Sequence, residues 1–335
     1  MKKIFKYKKP ILIVFSIFFC FVFFITMFVY NHGINKNTNF NFTIKYDKVR
    51  FFKGDIYIFN KNKLTRESKG KKLEKEIPIY KKIEMNDNII YALFENSLVM
   101  YNKNFEVIKE INLEDKAKDF FIENGKIIVI SENKFIIFDE TLNEIFRKED
   151  CLATVYVKFS KDNSNFIYTD YKEYDNAFKS RFHILNLKSK KTSYDFTFYN
   201  EFIIDMGFVN DSNENLYVLT NEKLYLFEGN TIKNQIFVKN LKDISYSNGK
   251  IYILSDSLQV YETKNLKLEK ELKLNSNNNN IYILKNKILL TGNTGYSLID
   301  KKNYTIEDFS LDILDTVKCK DEVYLILQNK YKKLK

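Results

Sequence analysis

The chain has 335 residues, 45% hydrophobic and 16% aromatic, ample for a large core, and this excludes global disorder. Lysine and arginine (54) outnumber aspartate and glutamate (43), with two histidines, three cysteines and no tryptophan. The charges are interleaved, as in "KNLKLEKELKL", the pattern of solvated strand edges, so no nucleic-acid partner is expected. The basic surplus implies at most a mild attraction to anionic wall polymers or lipid headgroups.

The first predicted element is a membrane anchor. "MKKIFKYKKP" carries five lysines and no acid, and residues 11–30, "ILIVFSIFFCFVFFITMFVY", follow without a charge. Twenty helical residues at about 1.5 Å each span about 30 Å, the thickness of a bilayer's hydrocarbon core. The chain therefore divides into a cytoplasmic basic flank (1–10), a transmembrane helix (11–30), a linker (31–38) and an extracytoplasmic domain (39–335). A cleaved signal peptide is the alternative. The run is longer than a signal's apolar segment, and "FVYNHGINKN" offers no small-x-small cleavage site. Cys20 lacks the small preceding residues of a lipidated cysteine.

Beyond the linker one unit recurs: an apolar run, a polar break, a second apolar run, a turn and a charged, alternating tail. Aligned on the middle of the first strong run, the units centre on Tyr57, Tyr91, Ile128, Ile167, Tyr217, Tyr252, Leu289 and Tyr324, at spacings of 34, 37, 39, 50, 35, 37 and 35 residues. Such a period signals a repeat architecture, and short runs of Ile, Val, Tyr and Phe signal strands. "ENGK" and "SNGK" mark tight hairpins, because Asn-Gly readily supplies positive φ angles. In the unit around Tyr252 the four strands read "LKDISYS", "KIYILS", "SLQVYE" and "LKLEKEL". The middle two are apolar on both faces and the last alternates, as in a blade between two neighbours whose outer strand meets water. The fold class is all-β, an eight-bladed β-propeller with seven blades as the alternative. Seven units are complete and the eighth ends after three strands. The missing strand is expected from residues 39–46, "NFNFTIKY".

"KIYILSDSLQVYETKNLKLEKEL" and "NLYVLTNEKLYLFEGNTIKNQI" resemble the repeats of the PQQ-like (quinoprotein-type) propeller superfamily. The fourth unit, "VKFSKDNSNFIYTDY…RFHILNLKSKKT", resembles TolB and WD40-type repeats. The resemblance extends over nearly all of residues 40–335 and implies a fold, not a reaction. Quinoprotein enzymes hold their cofactor with tryptophans and adjacent disulfide cysteines. This chain has no tryptophan, and Cys151 and Cys319 are far apart, so no cofactor is expected.

Catalytic signatures are equally sparse. His32 abuts the apolar run and His183 stands alone in "RFHILNL", so neither a metal site nor a Ser-His triad is expected. Two patterns remain. Nine residues before seven of the anchors lie Lys48, Lys82, Asp119, Lys158, Asp243, Asn280 and Asp315, each followed by a mostly apolar residue. Alternation on the innermost strand turns this polar set toward the axial channel. The fifth unit has Phe208 at that offset. The 50-residue spacing reflects a longer connection over residues 171–181, whose Tyr171, Tyr174, Phe178 and Arg181 suit a partner-binding loop. The expected function is a membrane-anchored binding or assembly module at a bacterial cell envelope, its partner another envelope protein or a wall polymer. The enzymatic alternative is a carboxylate-dependent glycan hydrolase or lyase.

Overall fold

The computed structural model describes residues 34–35, 46–151, 156–174, 177–209, 212–275, 277–319, 322–328 and 330–334. Eight four-stranded antiparallel sheets follow one another along the chain, and the eight anchor residues all fall on the second strand of their own sheet. Each blade is a meander, strands a to d running from the axis outward. In blade six these are Asp243–Ser247, Lys250–Leu254, Ser257–Glu262 and Leu268–Lys273. Innermost strands of neighbouring blades touch at blades two–three, three–four, four–five and six–seven, and blade eight touches blade one. The chain is an eight-bladed β-propeller.

The two-sided apolar character of strands b and c has a direct cause. Along strand b of blade two, Ile90 and Ala92 join a cluster with Tyr57, Phe59 and Leu64 of blade one. Their alternates Tyr91 and Leu93 join Ile127, Val129 and Ile136 of blade three. Eight such clusters, each shared by two neighbouring blades, make the core. Outer strands bury little; the blade-one strand Lys71–Glu76 is almost wholly exposed.

Turn chemistry sets the register. Asn124-Gly125 and Asn248-Gly249 adopt φ of 46° and 72°, and 50° and 72°, closing the a–b hairpins as two-residue turns. At the c–d turns the left-handed residue is often large: Phe105 (64°), Leu142 (58°) and Leu266 (50°) place buried side chains in the inter-blade clusters. Blades two to six share a register shift between strands c and d, at Met100/Tyr101, Ile137/Phe138, Ile184/Leu185, Leu226/Phe227 and Val260/Tyr261. It bends the outer strand as a bulge does.

The N-terminal segment closes the ring, but not with the expected residues. The fourth strand of blade eight is Ile34–Asn35, pairing Ile34 with Lys332 and Asn35 with Tyr331 of the strand Lys330–Leu334. The alternation of "NFNFTIKY" pointed to residues 39–46. The closing strand instead lies within the stretch read as linker, and residues 39–45 lie outside the described residues. The basic flank and apolar run (1–30) also lie outside them. Among the described residues no helix is long and apolar enough to cross a membrane.

Candidate binding sites at the channel and the blade-four hairpin

The innermost strands alternate between inter-blade core and axis. Val49, Ile83, Phe120, Phe159 and Ile281 are buried between blades, while the polar residues beside them are half-buried or exposed. Six of the seven candidates share one register. Lys48, Lys82, Asp119, Asp243, Asn280 and Asp315 pair with Phe59, Leu93, Ile130, Leu254, Thr291 and Ile326, each two residues past its anchor.

Blades four and five depart from that register. Lys158 pairs with the anchor Ile167 itself, and the equivalent position is Tyr156, whose carbonyl accepts from Thr169 N–H at 3.2 Å. In blade five the equivalent of Lys48 is Asp205, paired with Leu219, while Phe208 sits opposite Leu216 at the far end of the strand. A longer a–b connection moved the polar residue twelve positions ahead of Tyr217 instead of nine. The aspartate of "IIDMGF" was the available signal.

Many of these polar groups clasp neighbouring blades. Lys48 pairs with Glu84, which Arg50 also reaches at 3.5 Å, and Lys82 pairs with Asp119 at 2.7 Å. Lys158 reaches back to Glu123 at 3.8 Å. Asp243 accepts from the backbone N–H of Ile281 in the next blade at 2.8 Å, and Asp315 accepts from Tyr46 Oη at 3.3 Å. The Tyr217 ring crosses the innermost strand of blade five, where a Cβ on Gly207 would lie 2.8 Å from it, and its hydroxyl donates to Asp205 at 2.8 Å. Burial raises the carboxyls of Glu123, Asp205 and Asp243, and it lowers Lys48, next to Arg50. The axis thus carries Lys48, Arg50 and Lys82 around Glu84 in blades one and two, and carboxyls in blades three, five and six.

The insertion in blade four is strand, not loop. Strands Asn165–Tyr174 and Ala177–Asn186, ten residues each, run from the inter-blade core out past the ring as one hairpin, because ladder pairing persists from Asn165↔Asn186 to Tyr174↔Ala177. Its base is a polar knot: Asp170 receives Arg181 at 3.0 Å and His183 Nε2 at 2.7 Å, and His183 stacks on Tyr168. Higher up, Tyr171 Oη donates to Ile203 O at 2.8 Å, and Phe178 stacks on Phe202 at 3.7 Å. Tyr171 and Phe178 therefore fix the hairpin to the start of blade five, while Arg181 ties its two strands together. Tyr174 stands at its tip strand end. The exposed aromatics on this face, missed in the sequence, are Tyr199 (63%), paired with Lys179, Phe202 (49%), against Phe178, and Phe237 (73%), at the end of the outer strand of blade five. They lie in different blades, and only the fold brings their ends to one face.

No family model matches the chain, and no curated protein matches it. Solved structures do. BamB from Moraxella catarrhalis aligns at a TM-score of 0.58 and 8% identity, over 90% of this chain and 98% of that one. Saccharomyces cerevisiae Sqt1 aligns at 0.61 and 7%, over 90% and 98%. The C-terminal WD40 domain of Sif2 aligns at 0.58 and 16%, over 83% and 91%. At these identities the likeness is one of fold, and it places the chain among the β-propellers.

Proposed function

We propose that the protein is a membrane-anchored, extracytoplasmic binding module of the cell envelope that holds another envelope protein at the b–c end of blades four and five. The observation that carries this reading is the hairpin: a projection braced by Asp170, Arg181 and Phe178, with Tyr199, Phe202 and Phe237 exposed on the same face. Exposed aromatics on a stiff support are suited to anchoring a partner, since they bury much area and lose little side-chain freedom. The anchor and its orientation rest on the uncharged run behind the lysine flank.

The test is affinity capture from intact membranes with the full chain and with a variant in which residues 172–179 are replaced by Asn-Gly, joining the paired Tyr171 and Ser180 by a two-residue turn. An envelope protein captured by the full chain and absent with the variant is the expected result. An unchanged captured set removes the hairpin from the interface, and a wall polymer as the sole captured material would replace the protein partner.

A further inference from the structure

We propose that the opposite mouth of the channel, where blades eight, one and two meet, binds a small organic anion with paired oxygens on a flat apolar body, gripped by Arg50. A cavity of about 500 Å3 opens there, at the end that carries the a–b turns and away from the hairpin. Arg50, Lys53 and Lys318 supply its cations, and Phe52, Met85 and Tyr324 supply apolar wall. Tyr324 is held flat, stacked on Phe51 at 3.9 Å and 3°.

Arg50 is the centre of the argument. Its side chain is only 26% exposed, yet among the described residues it donates only to Val49 O at 3.1 Å and, at a long 3.5 Å, to Glu84. Glu84 is shared with Lys48, so two cations draw on one carboxylate. Arginine carries five N–H donors in a fork that matches phosphate or carboxylate oxygens, and most of that fork is unspent here.

The other carboxylates do not cancel the charge. Glu322 is committed to Lys333 at 2.5 Å and to the Tyr324 hydroxyl at 2.6 Å, and one further carboxylate, Asp87, stands on the blade-two turn. Lys53 and Lys318 make no ion pair among the described residues. Farther along the rim, Lys301 is lowered by burial and then by Lys250 and Lys318, as expected where cations crowd. A concave wall of about this volume, with a few convergent polar groups, is the size of a small-molecule site.

The test uses the full chain in detergent, titrated calorimetrically with phenyl phosphate, benzoate and inorganic phosphate, and with benzylamine as a cationic control. Phenyl phosphate or benzoate is expected to bind, inorganic phosphate more weakly, and benzylamine not at all. Arg50→Gln should weaken binding at least about tenfold, and Arg50→Lys should restore part of it. Lys239→Gln, on the connection between blades five and six, should change nothing. Because Cys319 lines the cavity and Cys151 is buried elsewhere, the ligand should also slow iodoacetamide labelling of Cys319. If Arg50→Gln does not fold, Lys53→Gln/Lys318→Gln decides, since both side chains are exposed. Absence of binding by both aromatic anions, or equal binding by wild type and these variants, overturns the proposal.

Discussion

Asp139 closes the c–d turn of blade three almost alone. One carboxylate oxygen accepts from Thr141 N–H, Thr141 Oγ1 and Asn143 N–H at 2.8–2.9 Å, and this holds Leu142 left-handed with its side chain buried. Burial alone would raise this carboxyl, but the Asn143 and Thr141 donors outweigh it and bring it down to about 2. A depressed carboxyl contributes stability above its unfolded pKa and loses it as pH falls through the folded one. Asp139→Ala should therefore cost roughly 1 kcal/mol at pH 7 by urea midpoint, and the gap should close between pH 4 and pH 2. Glu123 has the opposite sign: its carboxyl is raised, so its charged form is a liability above that pKa. Glu123→Gln should match or exceed wild type at pH 7.5, with the advantage fading as pH falls through the carboxyl range. Gly207→Ala should cost about 1–3 kcal/mol, because the new Cβ meets a buried Tyr217 ring that cannot swing aside. Equal midpoints for Gly207→Ala and wild type would mean the ring is not confined there.

Blades were legible in the sequence because the alternation of their b and c strands is dictated twice, once by each neighbouring blade. The eight anchors landed on strand b for that reason. Legibility failed where pairing, not burial, decides. Lys158 and Phe208, taken at the common offset, fall out of the common register because a turn of different length moves the channel position along the strand without altering its apolar neighbours. The hairpin read as a loop because its strands stand clear of the core and need no strict pattern. The closing strand is two residues long, and "IN" carries no periodicity at all. It is nonetheless testable. A soluble chain beginning at Tyr46 should melt at least about 2 °C below one beginning at His32, by circular dichroism. Equal melting would mean that the pairing of Ile34 and Asn35 adds nothing to the ring.

Across the whole molecule, the two faces of the ring present different chemistry. The b–c face carries the braced hairpin and exposed aromatics, and the a–b face carries the Arg50 cavity and its cations. The thiols of Cys151 and Cys319 belong to different parts of the ring, one buried beyond blade three and one half-buried in blade eight. Burial raises the Cys319 thiol, so its reaction should accelerate as pH rises above neutral. In whole cells a membrane-impermeant maleimide should label Cys319 if the ring lies outside the membrane. Labelling only after lysis would reverse the proposed orientation.

Ring closure also puts the molecule on a clock. Ile34 pairs with Lys332, so one of the first residues of the ring waits for nearly the last. At a synthesis rate of about 5–20 residues per second, roughly 15–60 s separate the making of Ile34 from that of Lys332, and until then the eighth blade cannot be finished. Once the first blades have formed, the first and the latest each show an apolar flank, such as Val49, Phe51 and Ile56, that stays open until blade eight meets blade one. The final strand, "KYKKL", sets the moment of completion. Chains stalled a few residues short of it should remain protease-sensitive however long they are left, and release of the last strand should convert them to the resistant form.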